Sequence, residues 1–264
     1  MADPTFDRRR FESRLATRRL GRTLLVRAET GSTNDDAWDA LATGAADGFV
    51  VVADAQTRGR GRAGRSWHSP PGLGLAMSVL MHEGCDARSL PAVPLAAGLA
   101  VAQGLERLGF ATELKWPNDV LIDGRKLAGV LAESRTRAGE SGAGDRAVVI
   151  GFGVNVSHAA ADFPPELRER ATSLALAGHA AAREDVAAET LGALETLWDA
   201  IEAEGAERVL RAWRSRATFW GRQLTVDAPG GPVHGVARDL DDLGRLVLET
   251  ESGERVAITV GDVA

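Results

Sequence analysis

Gln56-Thr57-Arg58-Gly59-Arg60-Gly61-Arg62-Ala63-Gly64-Arg65-Ser66-Trp67 sets four arginines and three glycines alternating ahead of a tryptophan. Glycine lets a backbone take positive φ and come close to a ligand, and guanidinium groups are permanently charged planar forks that match carboxylate and phosphate oxygens. The loop therefore suits a small anion. Its Gly59-x-Gly61-x-x-Gly64 spacing also meets the dinucleotide fingerprint, but the chain runs on into Ser69-Pro70-Pro71-Gly72 rather than a helix, and no ribose-binding acid follows at the required distance. A solvated basic loop is the competing account.

Working outward, Gly48 to Asp54 is a β-branched run bounded by turn residues, and Leu73 to Met81 reads as the next strand. The arginine loop is expected to span these two strands at one edge of a sheet. Upstream, Thr23 to Ala28 reads as a strand and Ser32-Thr33-Asn34 as the start of a helix through Leu41. Capping explains one of the three polar residues, while a helix start with free N–H groups also binds a carboxylate or a polar ligand head. Downstream, the Ala- and Leu-rich segment Leu90 to Leu108 predicts a helix packed on the sheet through Gly98 and Gly104.

Asp123-Gly124 between two apolar runs predicts a hairpin that returns Val120–Ile122 along Lys126–Glu133 and brings Lys115, Asn118, Asp119 and Lys126 together. Asn118 and Asp119 form an Asx turn on one reading and hold a metal-bound phosphate on another. Residues 137–144 read as a Gly/Ser-rich loop. In the strand Ala147 to Val156, Gly151 and Gly153 alternate with bulky residues and leave one face as bare backbone. Arg183 to Glu204 and Ala206 to Phe219 carry apolar residues at helical spacing, and from Gly221 four short alternating strands predict a small antiparallel barrel.

The bulk numbers narrow the function. With 264 residues, 31 basic against 37 acidic, the net charge of −6 disfavours nucleic acid and anionic membrane as partners of the whole molecule. Cys85 stands alone, which excludes an internal disulfide and fits a reducing compartment, so the cytoplasm is expected. The arginine-rich start has no apolar signal segment and is expected to be a flexible arm over residues 1–22, ahead of a catalytic domain over 23–219 and a small domain over 220–264.

Taken together, Ser32-Thr33-Asn34, Gln56, the Gly59–Trp67 loop, Lys115-Trp116-Pro117-Asn118-Asp119, Lys126-Leu127-Ala128-Gly129 and Gly151-Phe152-Gly153-Val154-Asn155 stand in the order and approximate spacing of biotin protein ligases. The chain resembles that family over residues 23–264. The resemblance implies an α+β fold: a mixed sheet packed with helices, like that of class II aminoacyl-tRNA synthetases, followed by an SH3-like barrel. It implies that biotin and ATP form biotinyl-AMP, Mg²⁺ assisting, and that biotin then passes to a lysine of a biotin carboxyl carrier domain of acyl-CoA carboxylases. By similarity Ser32, Thr33, Asn34, Gln56, Arg60, Gly61, Arg62 and Lys126 contact biotin, and Arg65, Trp67, Lys115, Asn118 and Asn155 serve the nucleotide. Lys126, Arg62, Lys115 and Asp119 are the catalytic candidates, and no protein-held metal site is expected. Regulatory members carry an N-terminal winged helix, for which there are too few residues here, so a monofunctional enzyme with no DNA partner is expected.

Residue chemistry supports that reaction independently. A substrate carboxylate attacking an α-phosphorus needs no protein nucleophile; it needs fixed cations that bring two anions together, and Arg60, Arg62, Arg65, Lys115 and Lys126 can supply them. His68 has no nucleophile partner by spacing and reads as incidental, while Asp119 can accept or orient the proton of the attacking amine. The rivals are a lipoate-type adenylating ligase, a non-catalytic nucleotide- or acceptor-binding module, and a nucleic-acid binder. A glycine-rich loop over a hydrolysis-prone anhydride is expected to close on it. Limited proteolysis near Arg60 should accordingly be suppressed by biotin plus ATP, and cleavage that continues unchanged counts against closure.

Overall fold

The computed structural model describes residues 5–82, 90–136 and 146–263. Cys85 and the 137–144 loop lie outside the described residues. The chain begins with α1 (Arg8–Arg14), β1 (Leu24–Thr30), α2 (Thr33–Ala42), β2 (Val50–Gln56), β3 (Gly74–Met81), α3 (Val93–Arg107), β4 (Glu113–Lys115), β5 (Asp119–Ile122), β6 (Arg125–Thr136) and β7 (Arg146–Asn155). It continues with α4 (Arg183–Glu204), α5 (Glu207–Arg214), β8 (Gln223–Ala228), β9 (Gly231–Leu240), β10 (Leu246–Glu249), β11 (Arg255–Ile258) and β12 (Asp262–Val263).

A seven-stranded mixed sheet runs β1-β2-β3-β7-β6-β5-β4. The β1–β2 pair is parallel, linked through α2, and every other neighbour in this sheet is antiparallel. Period-two alternation sends each strand's side chains to opposite faces. Leu75, Met77 and Val79 of β3 and Val148, Ile150 and Phe152 of β7 therefore join Leu95 and Leu99 of α3 and Leu191 and Leu194 of α4 in the main core. On the other face, α2 lays Ala37, Trp38 and Leu41 against Val51, Leu80, Ala147 and Val149. Farther along β7 the residues on that second face are Gly151 and Gly153, so the apolar cover stops and room is left above the strand.

Strands and helices follow the sequence pattern to within a few residues; α5 is shorter than its pattern, ending at Arg214 ahead of Phe219. The hairpin turn is as expected, with Asp123 at φ 50° and Gly124 at φ 70°. Gly104 does allow a close approach, but to α4 rather than to the sheet: a Cβ there would lie 2.8 Å from the Thr190 amide nitrogen. The arginine loop joins β2 to β3, yet these are interior strands, so it leaves the sheet at its end and not along an edge. The C-terminal sheet is antiparallel with order β11-β10-β9-β8-β12, one strand more than the pattern showed.

The flexible arm is corrected for residues 5–22. Asp7 caps α1 by accepting from the Arg10 N–H at 3.0 Å, and Phe6 and Phe11 pack against each other, with Phe11 fully buried. Its arginines meet acids of α4: Arg10 pairs with Asp185 at 2.7 Å, and Arg18 with Asp199. Glu195 accepts the backbone N–H groups of Arg18, Arg19 and Leu20 at 2.7–3.0 Å. Burial pushes its carboxyl up, but those three donors and the Arg18 charge outweigh it and hold the carboxyl below its ordinary range. The segment is tied at its start by Asp54, which accepts from the Thr5 N–H and pairs with buried Arg183 at 2.8 Å. Phe11→Ala should cost about 3–5 kcal/mol in denaturant unfolding; a change near zero would restore the mobile arm.

Candidate active site

The arginine loop is held by its own backbone. Trp67 donates its N–H to the Gly59 carbonyl at 2.8 Å, Gly61 to that of Arg65 at 2.7 Å, and Ala63 and Gly64 take φ of 53° and 73°. Glycine at 59 is a steric requirement, since a Cβ would lie 2.6 Å from the Trp67 carbonyl oxygen. The folded loop drops the Trp67 indole onto the uncovered strands: Cβ atoms at Gly153 and Gly129 would fall 2.3 and 3.3 Å from the ring. The bare face that the glycine alternation predicts is thus real, and an indole packs against it.

Between this loop, the start of α2 and the β5–β6 hairpin lies a cavity of about 530 Å³, within the range typical of small-molecule sites. It is lined by Ser32, Thr33 and Asn34 from α2, Gln56 from the end of β2, and Arg60, Gly61, Arg62, Arg65 and Trp67 from the loop. Lys115, Asn118 and Asp119 from the β4–β5 turn, Lys126 from β6 and Asn155 from β7 complete it. All the candidate residues drawn from five separated stretches therefore share one cavity.

Its polar end is a buried network. Ser32 stands at the helix cap position without making the capping bond. Gln56 Oε1 accepts the Thr33 N–H at 2.9 Å and lies 3.1 Å from its hydroxyl, and Ser78 Oγ is 2.7 Å from Thr33 Oγ1 and 2.6 Å from Asn34 Oδ1. Because an amide oxygen only accepts, Ser78 gives its one proton to Asn34, and in their 2.7 Å contact the Thr33 hydroxyl donates to Ser78 Oγ.

Four of the cavity's cations face acids. Arg60 reaches Asp35 at 2.8 Å and Glu133 at 3.3 Å. Arg65 and Arg62 face Asp262 of β12 at 2.8 and 3.6 Å, and Arg62 also donates to Asn118 Oδ1 and the Gly261 carbonyl at 3.3 Å. Burial lowers the Arg62 pKa, with Asp262 opposing, and the guanidinium stays charged. Lys126 Nζ lies 2.6 Å from Asp119 Oδ1 and 5.7 Å from the Trp67 ring centroid. Trp116, buried, donates its indole N–H to the Gly244 carbonyl at 3.1 Å, anchoring the Lys115 turn to the C-terminal region.

Asn118 does not make an Asx turn: its amide donates to the Val130 carbonyl at 2.6 Å, on the neighbouring strand. Among the described residues, no group of three or more His, Cys, Asp and Glu stands ready to hold a metal ion. Asp119 and the Asn118 oxygen are instead engaged by Lys126 and Arg62.

Sequence reasoning missed one wall altogether. Residues 163–171 contribute Phe163, Leu167, Glu169 and Arg170 to the cavity. This segment is clamped at Lys126, whose N–H donates to the Arg170 carbonyl at 2.7 Å and whose carbonyl accepts from Thr172 at 2.9 Å. Asn155 donates to the Thr172 carbonyl at 2.9 Å. The stretch has no periodicity, so only its contacts reveal it. His68, read as incidental, also lines the cavity, with Nε2 2.9 Å from the Asp162 carbonyl.

Behind this wall His158 stacks on Phe163 at 4.9 Å, buried, and neither ring nitrogen has a hydrogen-bond partner among the described residues. Burial, aided by His68 and opposed by Asp162, pushes its pKa from 6.5 down to about 4. The folded chain therefore holds His158 neutral while the unfolded chain protonates it near pH 6.5. Its stabilising share is complete above that pH and is lost as the pH falls toward 4, by about 2–3 kcal/mol at pH 4.5. Wild type should lose that much more stability than His158→Phe between pH 7 and 4.5 in denaturant titrations. Equal losses would show that the ring titrates normally.

Residues 28–155 match the Biotin/lipoate A/B protein ligase family, and residues 219–264 match the Biotin protein ligase C terminal domain. The chain is 39% identical over 274 residues to the biotin–[acetyl-CoA-carboxylase] ligase of Mycobacterium tuberculosis, covering 98% of this chain and 96% of that protein. It is 36% identical over 241 residues to the bifunctional ligase/repressor BirA of Bacillus subtilis, covering 90% and 73%. The structure of biotin protein ligase from Aquifex aeolicus in complex with biotin and ATP superposes with a TM-score of 0.76 at 28% identity, covering 92% of this chain and 98% of that one. A cavity built from those motifs, a match along nearly the whole length and a shared architecture establish that the chain belongs to the biotin protein ligase family.

Proposed function

We infer that this chain is a biotin protein ligase, which activates biotin with ATP to biotinyl-5′-AMP, releasing pyrophosphate, and then transfers biotin to a lysine of a biotin carboxyl carrier domain of an acyl-CoA carboxylase. The observation that carries the reading is convergence: Arg60, Arg62, Arg65, Lys115 and Lys126 all line one cavity that ends in the Thr33–Asn34–Gln56 network. The catalytic unit is taken as residues 23–219, of the class II aminoacyl-tRNA synthetase type, with docked residues 5–22 as part of its support. Residues 220–264 form an SH3-like module, and the cytoplasm is the proposed compartment; among the described residues no helix is long and apolar enough to cross a membrane.

In this reading Ser32, Thr33, Asn34 and Gln56 receive the polar head of biotin. Arg60, Gly61, Arg62 and Lys126 hold the carboxylate against the α-phosphate. Arg65, Trp67, Lys115, Asn118 and Asn155 serve the nucleotide, together with the 163–171 wall. ATP enters as its magnesium complex, so the cation belongs to the substrate and helps neutralise the phosphates.

Two anions that repel in water are thus held within reach, which supplies much of the rate by proximity, and the cations remain to stabilise charge spreading over the phosphoryl oxygens. The carboxylate oxygen forms the new bond to the α-phosphorus as pyrophosphate leaves. In transfer, the acceptor amine attacks the acyl carbon, AMP departs and the amine gives up a proton. Asp119, which pairs with Lys126, orients that amine or takes its proton in this reading.

Pyrophosphate release should follow addition of biotin and ATP, and not of lipoate and ATP; the reverse selects the lipoate-type ligase, and release with neither selects a binding module. Lys126→Ala and Arg62→Ala should each lower the adenylation rate by a factor on the order of 10²–10³, with melting temperatures within a few degrees of wild type. Large losses of stability instead would make these side chains structural.

A further inference from the structure

Glu133 lies on β6 outside every motif that marks the site, yet its carboxylate touches two of the site's elements. Its Oε2 accepts from Asn34 Nδ2 at 2.8 Å and from Arg60 Nη2 at 3.3 Å. The first donor belongs to the buried start of α2 and the second to the arginine loop. Resting on the biotin-ligase reading, we propose that Glu133 is a positioning residue that fixes the orientation of the Asn34 side-chain amide, and so the shape of the biotin pocket, while holding Arg60 at its rim.

The Asn34 amide can turn over about its terminal bond with little change in shape, exchanging its oxygen and nitrogen. Its two ends must then be told apart by their partners. Ser78, fully buried, donates to Oδ1 at 2.6 Å, and Glu133 accepts from Nδ2. The Leu131 carbonyl, at 3.4 Å, is a distant second acceptor. Gly151 makes the fit possible, since a Cβ there would fall 2.3 Å from Asn34 Oδ1. An ionised acceptor is the strongest of these orienting partners. Removing it leaves the amide free to turn its oxygen away from Ser78. Arg60 keeps Asp35, at 2.8 Å, as its remaining acid.

The effect should fall on biotin. An Asn34 amide that turns its oxygen away presents biotin with the wrong end and loses a hydrogen bond to it, about tenfold in affinity, so Glu133→Ala should raise the KM for biotin about tenfold and leave kcat and the KM for ATP within twofold. Glu133→Gln, whose amide oxygen still reaches Asn34, should stay within threefold of wild type. In an Asn34→Ala background, Glu133→Ala should add less than twofold, because the group it orients has gone. The proposal is overturned by a biotin KM unchanged in Glu133→Ala, by Glu133→Gln being as impaired as Glu133→Ala, or by the full tenfold persisting without Asn34. Should Glu133→Ala not fold, Glu133→Asp, which keeps the charge but draws it back by one methylene, takes its place with the same expected rise in biotin KM. A wild-type protein that releases no pyrophosphate from biotin and ATP would instead sink the ligase reading itself.

Discussion

Like charges crowded around one small cavity repel, and an active site that gathers them must be stable before its anionic substrates arrive. Here the cost is met locally. Arg60 has Asp35 and Glu133, Arg62 and Arg65 share Asp262, and Lys126 has Asp119. All these pairs are partly exposed, so solvent screens them and each is individually weak. That weakness suits the function: a phosphate or carboxylate that brings its own charge can displace a screened acid more easily than it can a buried one. The buried Arg183–Asp54 pair shows the contrast, being shielded from water and tied to the N-terminal segment, where it serves the fold.

The second requirement is space over a sheet, and the same strand provides both core and site. Along β7, Ala147 and Val149 accept α2, and two residues farther on the same face the side chains are replaced by hydrogen at Gly151 and Gly153. Asn34 and Trp67 lie on that backbone and shape the cavity, one as a polar end and the other as an apolar wall. The main core on the opposite face is continuous through Ile150, Phe152 and Val154, so a site is carved from one side without thinning the other.

Much of this was legible beforehand because its causes are local. The Asp123-Gly124 turn, the β-branched runs of β2 and β3, the helical period of α4 and the glycine alternation of β7 each act over a few residues, and each element stands close to where its pattern lies. The N-terminal segment was misread for the converse reason. A run of arginines looks solvated until their acids are located, and Asp185, Glu195 and Asp199 lie some 175 residues away on α4. The 163–171 wall is irregular and carries no period, so it was visible only through its clamps on Lys126 and Asn155.

The amino-acid order by itself determined the element types, the spacing of the glycines and cations, and the chemical kind of ligand they can meet, because backbone preference and side-chain charge are properties of short stretches. Tertiary structure alone decided which acid faces which arginine, which side of β7 is left open, and that Ser78, Glu133 and Asp262 stand against the residues of the cavity. Those are matters of distance between residues far apart in the chain, and distance is settled only when the sheet, its helices and the C-terminal strands have packed.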